Sequence, residues 1–334
     1  MSAATTPRDC FVAWDIETDC MAPPEWDAEK EDEASPSSPS SKRAKLGPML
    51  NVTVAATRRT LPDGTEEALV WASPTAESGL NCPVPEEVYS ALSTEEEEKE
   101  EAASALLFQP RMTTDDVAAM ATYLLRCCRD EGCAVSTYNG LGFDFRVVYE
   151  ILRCRSSDEC EEDKEEDLAD SFKALAASSR HFDIAFSFFA HRGFMVSLAK
   201  ATEATVGPSL KKYEISGADA PAKFMESRRW QNVVVKYCAQ DVRMQAALQR
   251  RLAETGELRW VTKKGTVSSW RVPSVRMSKA KKKKSKDEDD GPASLLNLGV
   301  AHSRTVPMPD VEWMAKFDMK PWKRSKFEAW LGRC

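Results

Sequence analysis

The stretch FVAWDIET at residues 11–18 alternates along an extended chain, with Phe11, Ala13, Asp15 and Glu17 on one side and Val12, Trp14, Ile16 and Thr18 on the other. This pattern predicts a strand. NVTVAATRRT (51–60) alternates as a second strand and EEALVWAS (66–73) as a third, with the turn LPDGTE joining them into an antiparallel meander. TTDDVAAMATYLLRCCRDEG (113–132) then predicts a helix that Thr113 or Thr114 caps, with acids in the first turn and Gly132 closing it. CAVSTYNG (133–140) is a fourth, buried strand. In FDFRVVYEILRCR (143–155), Phe145, Val148, Tyr149 and Leu152 share one helical face. Further helices are expected around 168–178, 183–193, 195–206 and 229–253. Strands followed by alternating helix and strand predict an α/β fold whose mixed sheet is flanked by helices.

Between these elements the patterning fails. Segments about 25–48, 93–104 and 156–167 combine acidic runs with a Ser/Pro tract, too poor in apolar surface to offset their ordering entropy. They are expected to be disordered insertions in a domain spanning residues 1–255. Residues 256–334 read as a C-terminal extension: a hairpin turning at Lys264 and Gly265, a charged linker (278–292) and short amphipathic helices. The aromatics of the last part, Trp313, Trp322, Phe327 and Trp330, suit docking on the core or stacking on bases.

Composition changes this picture in three respects. The 334 residues are 42% hydrophobic, enough for a core, yet no run approaches the ~20 apolar residues of a membrane span. Neither a signal-peptide core nor an Arg-rich transit pattern opens the chain, so an intracellular protein is expected. Ten cysteines without a C-x-x-C pair, beside three histidines, predict free thiols rather than a zinc site or disulfide framework. The acidic runs at 25–33, 95–101 and 158–167 carry −5, −5 and −7, or −17 together, so a net charge of −7 leaves +10 on the remainder. A basic remainder suits a phosphate-binding surface, although a mixed surface gives the same balance.

Candidate chemistry comes from misplaced carboxylates. Asp15 and Glu17 lie roughly 7 Å apart along one side of a strand, where an edge position would solvate them and a buried one would call for a divalent metal. In the last long helix Val234, Tyr237, Asp241, Met244, Leu248 and Leu252 form one stripe, so Asp241 is semi-buried with Tyr237 one turn before it. Asp144 opens a helix after a Gly-rich turn, a position the helix dipole also explains. Asn139 either contacts substrate or braces that turn. Lys211 and Lys212 are candidates for phosphate contact, and solvated lysines give the same pattern.

Three of these stretches, DIET, NGLGFDF (139–145) and YCAQD (237–241), resemble in order the exonuclease motifs of the DnaQ-like 3′-to-5′ exonucleases, the DEDD group. The resemblance covers about residues 9–253. It implies a ribonuclease H-like fold, with Asp15, Glu17, Asp144 and Asp241 as ligands of two Mg²⁺ or Mn²⁺ ions. One branch of the group carries a histidine five residues before the last aspartate, and the other, the DEDDy branch, a tyrosine four before it. Here those positions hold Lys236 and Tyr237, so the chain resembles the DEDDy branch, with Tyr237 orienting the attacking water. His181, His191 and His302 match no motif position and are given no catalytic role. The resemblance implies hydrolysis from the 3′ end of single-stranded nucleic acid, DNA ahead of RNA, with an exoribonuclease and a catalytically silent binding module as alternatives. No membrane partner is expected, and a polymerase or helicase partner chain is left open. SSKRAKLG (40–47) resembles a nuclear import signal, which places nucleus ahead of cytoplasm.

Overall fold

The computed structural model describes residues 10–19, 50–61, 63–90, 109–156, 168–178, 180–192, 194–208, 210 and 215–272. The expected insertions, apart from residue 156, lie outside these residues, as do Lys211, Lys212, the basic string at 40–47 and the chain beyond 272.

Six strands form one sheet: β1 (Phe11–Thr18), β2 (Val52–Thr60), β3 (Glu66–Trp71), β4 (Val84–Pro85), β5 (Ala134–Thr137) and β6 (His181–Asp183). Their order is β4-β3-β2-β1-β5-β6. Strands β1 to β4 pair antiparallel in succession, whereas β5 lies parallel to β1, and β6 parallel to β5. The predicted mixed sheet is therefore present. Its two shortest strands, β4 and β6, were not foreseen, because two or three residues show no period. The helices are α1 (Glu86–Ser90), α2 (Thr114–Arg129), α3 (Asp144–Ser156), α4 (Leu168–Ala177), α5 (Ile184–Arg192), α6 (Leu198–Thr205), α7 (Ala220–Glu226) and α8 (Arg228–Thr255).

Strand β1 is internal, held by β2 on one side and β5 on the other, and its alternation feeds two separate cores. Phe11 and Ala13 pack with side chains of α5, α7 and α8, while Val12, Trp14 and Ile16 pack with those of α2, α3 and α4. An edge strand with solvated acids is thus not what this sequence forms. Trp14 is wholly buried and meets Phe145 and Phe172 edge-on, at ring-centroid distances of 5.0 and 5.7 Å.

Local signals set the helix ends. Thr113 caps α2 reciprocally: its hydroxyl accepts from the Asp116 amide at 3.1 Å and its own amide donates to the Asp116 carboxylate at 2.9 Å. Helix α8 begins at the Ser227 cap and stops at Gly256, whose left-handed backbone (φ 64°) any other residue would strain. Two buried glutamines then fix α8 against β5. Gln245 donates to the Ser136 carbonyl, and Gln249 accepts from the Ser136 hydroxyl at 3.2 Å.

Past α8 the predicted hairpin forms as β7 (Glu257–Val261) and β8 (Val267–Arg271). Leu258, Trp260, Trp270 and Val272 join the core that α8 covers. Thr205 at the end of α6 clamps the hairpin, donating to the Arg259 carbonyl at 3.1 Å and accepting its amide at 2.8 Å.

The cysteine expectation needs one correction. Parallel pairing of β1 and β5 sets Cys10 beside Cys133 with Cα atoms 4.4 Å apart, and the two are joined as a disulfide. Cys82, Cys127, Cys128, Cys154 and Cys238 are free thiols. No helix among the described residues is long and apolar enough to cross a membrane.

The Trp14 contacts generate a stability prediction. Trp14→Ala should lower the unfolding free energy by about 3–5 kcal/mol. A urea titration would show this as a lower midpoint at unchanged slope.

Candidate metal centre

The alternation that buries Phe11 and Ala13 carries Asp15 and Glu17 to the same side of β1, toward α8. Glu17 is buried and Asp15 keeps partial access to solvent. The β1–β2 register shifts between Glu17 and Thr18, so the ladder is interrupted where the acids end. Cys238 of α8 fits against this end of the strand. Its thiol donates to the Asp15 carbonyl at 3.7 Å, and ligand atoms of Asp15, Glu17 and Cys238 all lie within 4.8 Å of one another.

Asp144 arrives from the other half of the sheet. It begins α3 after a loop whose shape depends on close backbone packing. Asn139 adopts a left-handed backbone (φ 71°), and a Cβ at Gly140 would stand 2.6 Å from the Thr137 side chain. A Cβ at Gly142 would stand 2.6 Å from the Asn139 side-chain oxygen. The loop delivers the Asp144 carboxylate to β1, where it accepts from the Ile16 amide at 3.2 Å. Tyr237 and Asp241, one turn apart on α8, complete the group, with the Tyr237 hydroxyl hydrogen-bonded to Asp241. The Gln245 and Gln249 bonds to Ser136 continue the face that carries Asp241, so α8 cannot slide along β5 without breaking them.

Electrostatics reflect this crowding. Burial raises the Asp15 carboxyl well above the ordinary range, and Asp144, Glu17 and Asp241 raise it further. Burial also pushes Asp144 up to about 7, against the pull of its own amide and that of Ile16. The Tyr237 hydroxyl is raised by burial and by the charges of Asp241 and Glu17. Cys238 is raised in the same way, by burial and then Asp15, in keeping with a thiol that donates to the Asp15 carbonyl. Carboxyls that hold protons because they are buried side by side make room for a hard cation in the protons' place. Asp15 and Glu17 offer oxygen donors within 4.8 Å of each other, and Asp144 and Asp241 bear on Asp15 from α3 and α8.

The sequence-derived residues separate accordingly. Asp15, Glu17, Asp144, Tyr237 and Asp241 come together. Asn139 stands in the loop before Asp144, where its amide donates to Asp183 at 3.0 Å and its carbonyl accepts from Gly142 at 2.9 Å, so its backbone braces the turn. Lys211 and Lys212 lie outside the described residues. His181 is structural: burial pushes it down to about 4. Its Nδ1 stands 2.9 Å from the Ala176 carbonyl, which can only accept, leaving Nε2 to accept from the Thr137 hydroxyl at 2.9 Å. The residue that sequence reasoning passed over is Asp183, a wholly buried carboxylate at the end of β6. The signal was an aspartate directly before the apolar run IAFSFF, the pattern of a helix cap. Compared with protein-family models and with curated proteins, the chain matches none.

The raised Asp144 sets a direction for pH dependence. A carboxyl whose folded value lies above its unfolded one contributes stability at acidic pH and loses it as pH rises through about 7. Stripped of divalent ions, the protein should melt at falling temperature as pH rises from about 5 to about 8, and Asp144→Asn should flatten that slope. Adding Mn²⁺ at the alkaline end should restore the melting temperature, as calorimetry would show.

Proposed function

We propose that this chain is a metal-dependent 3′-to-5′ exonuclease of the DnaQ-like, DEDDy type on a ribonuclease H-like fold. Its substrate is the 3′ end of single-stranded nucleic acid, DNA ahead of RNA. The observation that carries the reading is the meeting of Asp15, Glu17, Asp144 and Asp241, which come from β1, the start of α3 and α8. The sheet supports it as well: three antiparallel pairings precede two parallel ones, with β1 at the centre and helices on both faces.

The four carboxylates would hold two Mg²⁺ or Mn²⁺ ions, through the hard oxygen ligands such ions require. Bound there, the ions supply Lewis acidity that activates a water and steadies a departing oxygen. The chain's own residues do the rest. Tyr237, its hydroxyl held protonated and bonded to Asp241, is too weak a base to take a proton and instead orients a water by hydrogen bonding. Gly217 passes close to that hydroxyl, where an added Cβ would stand 3.3 Å from it, so a small residue there leaves the hydroxyl approachable. Asn139 and Lys212 are the proposed substrate contacts. The basic string at 40–47 favours nuclear placement.

Incubating the purified protein with 5′-labelled DNA and RNA strands in Mg²⁺, Mn²⁺ or chelator tests this directly. A ladder shortening from the 3′ end is expected with either metal and in neither chelated lane. Asp15→Ala and Asp241→Ala should each lower the rate by more than the ~10–100-fold that loss of a supporting partner costs, with the fold retained. Tyr237→Phe should lower kcat by about 100-fold or more. Full activity in either aspartate variant would remove that residue from the site, and no ladder in any lane would favour the silent binding module.

A further inference from the structure

Asp183 stands between β6 and α5, the ordinary place for a helix cap, and its Oδ1 accepts from the Phe186 amide at 2.8 Å, three residues on. A cap needs no more than that. Here the carboxylate is wholly buried, and its remaining bonds cross to a different element. Oδ1 also accepts from the Asn139 amide at 3.0 Å, and Oδ2 accepts from the Leu141 amide at 2.8 Å. Both amides belong to the loop between β5 and α3, and Asp144 lies three residues past Leu141. Thr137, the last residue of β5, stands within hydrogen-bond reach of the same carboxylate, although its one hydroxyl proton is the one that His181 Nε2 accepts. The loop therefore has a left-handed residue at its start, two glycines packed against side chains, and an anionic acceptor under its amides. Without that acceptor the buried Leu141 N–H would be unpaired, at about 1–3 kcal/mol, and the Asn139 N–H would lose its partner within the loop.

We propose that Asp183 is a positioning residue for the metal centre: one carboxylate caps α5 and grips the amides of Asn139 and Leu141, and so fixes the loop that delivers Asp144 to Ile16. The inference rests on the exonuclease reading of the same site. Asp183 touches neither substrate nor metal in this role and acts through Asp144.

Asp183→Asn separates the brace from the cap. An asparagine caps a helix as well as an aspartate does, but its amide has one acceptor and one donor end, so one of the gripped N–H groups faces an NH₂. The variant should fold with a wild-type circular dichroism spectrum. Its Mn²⁺ affinity, measured by calorimetry, should fall by about 10–100-fold. Its kcat on a labelled single strand should fall by a similar factor while KM for the strand stays within about twofold, since the strand's contacts are untouched. Should the Asn variant not fold, Asp183→Ser, whose hydroxyl keeps the cap, takes its place in the same measurements. Thr205→Val, which breaks the hairpin clamp and none of the bonds to this loop, serves as a destabilised control and should keep wild-type Mn²⁺ affinity. Wild-type Mn²⁺ affinity and kcat in a folded Asp183 variant would overturn the positioning role and leave the exonuclease reading intact. A wild-type protein that binds no Mn²⁺ would overturn both.

Discussion

Gathering carboxylates in a buried place opposes folding, and the rest of this structure is arranged so that they cannot escape one another. Asp144, Glu17 and Asp241 all raise the proton affinity of Asp15, on top of its burial. The chain tolerates this because their backbones are anchored by something stronger. Strand β1 is paired on both sides and packed on both faces, so the segment bearing Asp15 and Glu17 cannot retreat toward solvent. Helix α8 is registered by two buried glutamines, and the loop before Asp144 is bonded underneath. The repulsion is thereby stored at a fixed point rather than relaxed, which is the condition for a carboxylate cluster to be ready for a cation.

Much of this was legible along the chain, and the limits have physical causes. Period-two alternation in β1 announced the shared side of Asp15 and Glu17, and the heptad-like stripe in α8 put Tyr237 and Asp241 together. Neither pattern says whether a strand is central or at an edge, because that depends on which strands pair with it. The α3 start was readable from its turn and aspartate. Asp183 was not, since its importance lies in amides some forty residues away in the chain, and a short strand such as β6 has too few residues to show its own direction. Gln245 and Gln249 were hidden for the same reason: on a helix otherwise rich in charge, a glutamine turned to the sheet looks like one turned to water.

The hairpin after α8 teaches a related lesson. Its charged turn and exposed alternate positions suggested an appendage, yet Trp260 and Trp270 meet Phe188 edge-on at 5.1 and 5.5 Å, inside the core that α8 covers. Two tryptophans facing the same way in a short ribbon bury much of its area. A β-ribbon of this size is only marginally stable alone, and here the domain supplies what it lacks. The face opposite holds α2, α3 and α4 against Trp14, so the sheet is packed from both directions and its central strand is buried on both faces.

The bond between Cys10 and Cys133 joins two strands that neighbour each other in space but stand 123 positions apart in the chain. The first strand reaches its neighbours β2 and β5 otherwise only through hydrogen bonds and packing. A protease nicking the polypeptide anywhere between them would therefore release no fragment bearing Asp15 and Glu17 under oxidising conditions. After reduction the fragment bearing Asp15 and Glu17 would be retained by hydrogen bonds and packing alone, so its retention at the most crowded point would pass from sulfur to the sheet.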